Sequence, residues 1–127
     1  MSGPLQGVKV LELAGIGPSP YACMLLADLG ADILRLERGN AQASSEPSWD
    51  LLNRSRNSVA INLKNEEGRA LVLRLAAQAD MLIEGFRPGV AERLGVGPND
   101  VHAVNPKLVY GRMTGWGQEG PLAQRAG

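Results

Sequence analysis

The strongest constraint on this chain is an alternation of short apolar runs, each of strand or helix length and each closed by glycine, proline or a polar pair. Val8-Lys9-Val10-Leu11-Glu12-Leu13 has period two in its middle and is stopped by Gly15-Ile16-Gly17-Pro18, which marks a strand. Pro18 and Pro20 suit the first turn of a helix, where a missing N–H costs nothing, and Gly30 supplies a left-handed cap after Leu29. The apolar residues between them predict a helix buried on most sides. Asp32-Ile33-Leu34-Arg35-Leu36-Glu37 is the next strand, so residues 8–37 form a βαβ unit whose two strands run parallel.

The alternation continues downstream. Arg38 to Arg56 is thin in apolar residues and reads as a surface excursion. Ser58 to Leu63 alternates as a strand; Asn65 then caps a helix reaching about Ala79, with Glu66 and Glu67 in its positive first turn and Leu71, Leu73, Leu75 and Ala76 as its apolar side. Met81 to Glu84 predicts a buried strand, Pro88 to Leu94 a short helix, Pro98 to Val104 a helical turn and Leu108 to Met113 a last strand. The order predicts an α/β fold with a Rossmann-like, doubly wound, mostly parallel sheet. At 127 residues the chain is one domain by size. Its finish in the glycine-rich loop Gly115-Trp116-Gly117-Gln118-Glu119-Gly120-Pro121, with no closing helix, leads us to expect the front part of something longer.

Composition removes several classes of function. Thirteen Lys and Arg balance thirteen Asp and Glu, so the basic footprint of a nucleic-acid binder is missing. One cysteine and one histidine exclude an intrachain disulfide and a Cys/His metal cluster, and point to a reducing compartment, cytosolic or organellar, with a cytoplasmic setting the expectation. The longest apolar run, Tyr21 to Ala27, is far short of the roughly 18 residues a membrane-spanning helix needs. No metal, nucleic acid or membrane partner is expected.

In a doubly wound sheet, ligands bind beyond the carboxyl ends of the strands. Four segments lie there: Ala14 to Pro20, Arg38 to Asn40, Gly85 to Gly89 and Thr114 to Gly127. The first βαβ unit imitates a dinucleotide fold, with Gly15 and Gly17 after the first strand and Glu37 twenty residues beyond Gly17. Pro18 and Pro20 break the match, because they remove N–H donors a pyrophosphate would need. Arg38, Arg54, Arg56, Lys64, Arg87 and Arg93 fall in or beside inter-element loops and fit a phosphorylated small molecule or an ordinary solvated surface. His102 reads as a surface histidine, Cys23 as core, and Trp116 as either a loop anchor or part of a ligand wall.

Six blocks in order carry a resemblance: Leu11-Glu12-Leu13-Ala14-Gly15, Ala27-Asp28-Leu29-Gly30-Ala31-Asp32, Leu36-Glu37-Arg38, Glu84-Gly85-Phe86-Arg87-Pro88-Gly89-Val90, Arg93-Leu94-Gly95 and Met113-Thr114-Gly115-Trp116-Gly117-Gln118. Together they resemble the N-terminal third of CoA-transferase family III, the CaiB/BaiF type, and within it the branch that racemises 2-methylacyl-CoA thioesters. The resemblance implies that Arg38 meets the nucleotide end of coenzyme A, that Ile61, Asn62, Leu63 and Lys64 line its path, and that Phe86, Arg87 and Arg93 complete the adenine and phosphate site. Gly127 would join these CoA-binding residues, Ala126-Gly127 matching the pair that precedes the catalytic His. It also implies a catalytic His directly after Gly127 and a later Asp, hence no catalytic residue within residues 1–127. No cofactor beyond the CoA moiety is implied, and the assembly would be an interlocked homodimer acting in fatty acid metabolism. Two further readings stand beside it: a CoA-transferase of the same family, and a module that binds nucleotide or dimerises without chemistry.

Overall fold

Parallel strands buried on both faces cannot be joined by tight turns, and the chain crosses over after each one. A computed structural model describes residues 2–39 and 51–127. Its strands are β1 (Lys9–Leu13), β2 (Asp32–Glu37), β3 (Asn57–Ala60), β4 (Met81–Glu84) and β5 (Val109–Arg112), and its helices are α1 (Pro18–Asp28), α2 (Glu66–Ala76), α3 (Val90–Arg93) and α4 (Pro98–Val104). They form one five-stranded sheet in the order β3-β2-β1-β4-β5. Every neighbouring pair is parallel. The predicted doubly wound α/β architecture is the observed one.

Two cores lie on opposite faces of the sheet. Leu11, Leu13, Leu36 and Leu82 point to one side, packing with Ile61 and with Val72, Ala76, Val96 and Val101. Val10, Ile33 and Ile83 point to the other, against Cys23 and Ala27 of α1. With cover on both faces, β1 is buried from Val10 to Leu13 without alternation, as a central parallel strand should be.

Local signals set the element ends. Pro18 opens α1, and Gly30, at φ 101°, receives the left-handed turn that closes it. Asn65 Oδ1 accepts the Gly68 N–H at 2.7 Å, the expected cap of α2. The remaining expectations need adjustment. α2 buries Gly68, Val72 and Ala76, a stripe four residues apart that leaves Leu71 exposed. α1 is not buried on most sides: Tyr21, Leu25 and Leu29 form an exposed stripe, because the sheet takes only the Cys23–Ala27 side. β3 ends at Ala60 and not Leu63, and all four of its residues are exposed, as befits an edge strand with one neighbour. The helix expected from Pro88 begins at Val90, because Gly89 turns left-handed at φ 87°. The excursion after Arg38 lies partly in residues 40–50, outside the described residues; its end is a 3-10 turn at Leu51–Asn53 held against the sheet.

Candidate functional site

The order of strand addition reverses between β1 and β4 while the strands stay parallel. β1 leads through α1 to β2 on one side, whereas β4 leads through α3 and α4 to β5 on the other. The crevice above that seam is where such sheets bind ligands. Its walls approach closely: a Cβ on Gly85 would stand 3.0 Å from Ser19 Oγ, so glycine lets the β4–α3 turn close onto the start of α1. The Ser19 hydroxyl is fully buried there and has no hydrogen-bond partner among the described residues.

The dinucleotide imitation fails for the reason its prolines indicate. Pro18 and Pro20 occupy the first turn of α1, and Tyr21 N–H is already used by Gly17 O at 3.3 Å. Glu37, where a ribose-binding acid would stand, accepts from Arg35 Nε at 3.0 Å. The first turn of α1 thus lacks the two N–H donors its prolines replace, and one oxygen of Glu37 is already engaged.

The six loop-borne basic residues singled out from the sequence divide into two groups. Arg54 and Arg56 are structural and not part of a ligand surface. Arg54 pairs with Asp28 of α1 at 2.5 Å. Arg56, with 1% of its side chain exposed, pairs with Glu12 at 2.7 Å and donates to Pro20 O, Leu52 O and Asn53 Oδ1. It pins the 3-10 turn onto β1 and α1. Glu12 also takes Arg35 at 2.8 Å, yet burial raises its carboxyl above the ordinary value more than Arg56 and Arg35 pull it down.

Arg38, Lys64, Arg87 and Arg93 are the second group. All are exposed, and none has a side-chain partner among the described residues. Arg38 follows the end of β2, Lys64 the turn after β3, and Arg87 the end of β4. Arg93 lies on α3 but folds back, its Nη1 only 3.0 Å from where a Gly89 Cβ would stand. Its head therefore returns to the same turn as Arg87. Between these cations, Leu63 and Phe86 are half-buried and pack on one core with Leu13, Leu36 and Ile61. Asn62 Oδ1 accepts Lys64 N–H at 3.0 Å, and a Cβ on Gly68 would overlap Asn62 O, so the turn sits directly on the start of α2.

The loop after β5 completes the rim. Trp116 Nε1–H donates to Ala126 O at 3.0 Å while the ring stays half-exposed, which makes it a loop anchor. Gly127 packs on Gly115 so closely that a Cβ on either would strike the other's backbone. Gln124 Nε2 reaches Pro88 O at 3.3 Å, tying this loop to the β4–α3 turn. Away from the rim, His102 is exposed on α4 with Nε2 2.9 Å from Leu108 O, and Cys23 is buried. No group of acids, histidines or cysteines that could hold a metal occurs among the described residues. A cavity of about 250 Å³ opens at the opposite, amino end of β1 and β2, between Lys9, Asp32, Leu75 and Gln78. It holds no cluster of free cations, and the carboxyl rim is the stronger candidate.

Residues 5–127 match CoA-transferase family III. The chain belongs to that family. It is 42% identical over 123 residues to the alpha-methylacyl-CoA racemase of Mus musculus, covering 97% of this chain and 31% of the relative. It is 36% identical over 135 residues to the succinyl-CoA:glutarate CoA-transferase of Homo sapiens, covering 98% and 31%. Among solved structures, Rv3272 from Mycobacterium tuberculosis superposes with TM-score 0.90 at 37% identity, over 99% of this chain and 36% of that one. A CaiB/BaiF family protein from Brucella suis gives 0.89 at 36% identity, over 100% and 37%. The chain thus spans about a third of the length of these relatives. A likeness to shikimate 5-dehydrogenase from Listeria monocytogenes, at 16% identity and TM-score 0.56, concerns the fold alone.

Sequence reasoning missed one pattern at this site. The two fully buried carboxylates among the described residues, Glu12 and Glu84, stand directly opposite an arginine on the neighbouring strand, Glu12 beside Arg35 and Glu84 beside Arg112. An acid near the end of an apolar strand, with Arg at the matching step of another, was the available signal.

Proposed function

We propose that residues 1–127 form the coenzyme A wall of an acyl-CoA enzyme, a 2-methylacyl-CoA racemase. The observation that carries this reading is the set of four exposed cations with no side-chain partner among the described residues, Arg38, Lys64, Arg87 and Arg93, along one rim with Phe86 among them. Coenzyme A carries several phosphates and a flat adenine, which suit guanidinium groups and an aromatic edge. Asn62 and Leu63 line the path, with Ile61 packed in the core beneath them, and Gly127 belongs to the loop beside it. Racemisation removes the proton next to the thioester carbonyl, holds the enolate, and returns a proton to the other face, so two acid/base groups must flank one carbon. His102 points away from the rim, toward Leu108 O. In this reading the proton-moving His and Asp belong to sequence following Gly127, with the whole enzyme an interlocked homodimer.

Kinship to the racemase at 42% identity favours this over CoA transfer, in which an Asp carboxylate takes up the acyl group as an anhydride. Titration calorimetry with CoA tests the wall: each guanidinium–phosphate contact is worth about 1.5–3 kcal/mol, so Arg38→Ala and Arg87→Ala should each weaken binding about tenfold or more. Unchanged affinity in both variants refutes the site. Incubating the full-length enzyme with a 2-methylacyl-CoA in deuterated water tests the reaction. Label at the α-carbon supports the racemase, and CoA transfer to a free acid without exchange supports the transferase.

A further inference from the structure

The segment that carries Phe86, Arg87 and Arg93 is fastened at both ends by one side chain from a different strand. Glu84, fully buried at the end of β4, accepts Phe86 N–H on Oε2 at 2.8 Å and Arg112 Nε on Oε1 at 2.8 Å. The same guanidinium donates Nη1 to Glu92 Oε1 at 2.5 Å and Nη2 to Glu92 Oε2 at 3.0 Å. Glu92 directly precedes Arg93 on α3. The Arg112 head also lies 5.7 Å from the centre of the Tyr110 ring, and Tyr110 OH donates to Val96 O at 2.8 Å, so β5 also holds the turn that follows α3.

We propose that Arg112, bridging Glu84 and Glu92, is a positioning residue that fixes the β4–α3 turn so that Arg87 and Arg93 present their cations to one ligand. This rests on the coenzyme A reading of the rim. The chemistry favours positioning over bulk stability on the outer arm, because Glu92 is 46% exposed and half-solvated pairs add little to folding. A planar fork that joins two carboxylates in fixed geometry is instead a device for orientation. Glu92 is held ionised below its ordinary value by its bond to Arg112, and Arg112 is held protonated by Glu92 and Glu84, so the bridge persists across the neutral range.

The experiment is a CoA titration of four proteins: wild type, Glu92→Gln, Arg87→Ala and the double variant, with a melting curve for each. Glu92→Gln should weaken CoA about three- to tenfold while the melting temperature stays within about 2 °C, since only orientation is lost. In the Arg87→Ala background the same change should cost less than about twofold, because the group it orients is gone. Arg112→Lys, which keeps the charge beside Glu84 but cannot span both carboxylates, should resemble Glu92→Gln. Wild-type affinity in Glu92→Gln, or an undiminished loss in the Arg87→Ala background, overturns the proposal while the rim reading survives. A wild-type protein without saturable CoA binding removes both.

Discussion

Replacing Arg56 by Met should be the most damaging single change outside the apolar core, and the structure gives its size. Arg56 is the partner of Glu12 Oε2 at 2.7 Å and serves Pro20 O at 3.1 Å, Asn53 Oδ1 at 2.6 Å and Leu52 O besides. Its removal leaves Glu12, fully buried, with Arg35 alone. Breaking a buried pair from one side costs about 3–5 kcal/mol, which for a chain of this length lowers the melting temperature by roughly 10–20 °C. Urea denaturation at pH 7 measures it. The double variant Glu12→Gln/Arg56→Met removes both charges and should recover about 1 kcal/mol or more relative to Arg56→Met, since no lone carboxylate stays buried and Arg35 keeps Glu37. pH supplies an independent check. Glu12 titrates above its ordinary value in the folded chain, so the unfolded chain gives up its proton first and stability falls as pH rises through the interval between the two values. Loss of Arg56 widens that interval, so the deficit of Arg56→Met should shrink as pH falls toward about 4.3, the ordinary carboxylate range. A single variant that loses under about 1 kcal/mol, or a double variant less stable than the single one at pH 7, refutes the reasoning.

Asn65→Ala should cost about 1 kcal/mol in urea denaturation, because Gly68 N–H loses the side chain that caps it; no change would mean that solvent caps α2 equally well. Cys23, its thiol pushed up to about 12 by burial and by Glu12, should resist a thiol reagent at pH 8 in the folded protein and react at once in denaturant. Prompt labelling of the folded chain would contradict the packing of α1 on the sheet. Gly68→Ala should destabilise by about 1–3 kcal/mol or more, since a Cβ there overlaps the Asn62 carbonyl, and calorimetric melting measures it.

Periodicity and punctuation made the order of elements legible, because each apolar run was bounded by a residue with its own backbone demand: Pro18, Gly30, Asn65, Pro98. What periodicity left out was which neighbour each face would meet. Apolar residues all round α1 suggested burial on most sides, whereas the sheet covers Cys23 and Ala27 and leaves Tyr21, Leu25 and Leu29 outside. Leu71, Leu73, Leu75 and Ala76 read as the apolar side of α2, but the helical stripe through Gly68 and Ala76 buries Val72, which that reading left out, and leaves Leu71 exposed. The rim cations were visible as arginines in loops, yet Arg56 and Arg87 are alike in sequence. Only the pairing of Glu12 with Arg56, across 44 residues, makes the first a structural pin and leaves the second open to a ligand.

The seam between β1 and β4 has a kinetic meaning. Lys9 N–H is held by Asp80 Oδ2 and Lys9 O by Asp80 N–H, a closure over 71 positions, and the seam's register begins at Val10 and Met81. The β1–α1–β2 unit is local and free to form early, but the crevice does not exist until that long loop closes. Refolding followed at the rim should therefore lag behind refolding followed within residues 8–37. The carboxyl rim is therefore expected to be the last part of the sheet to assemble, and the first to be lost when the two halves part.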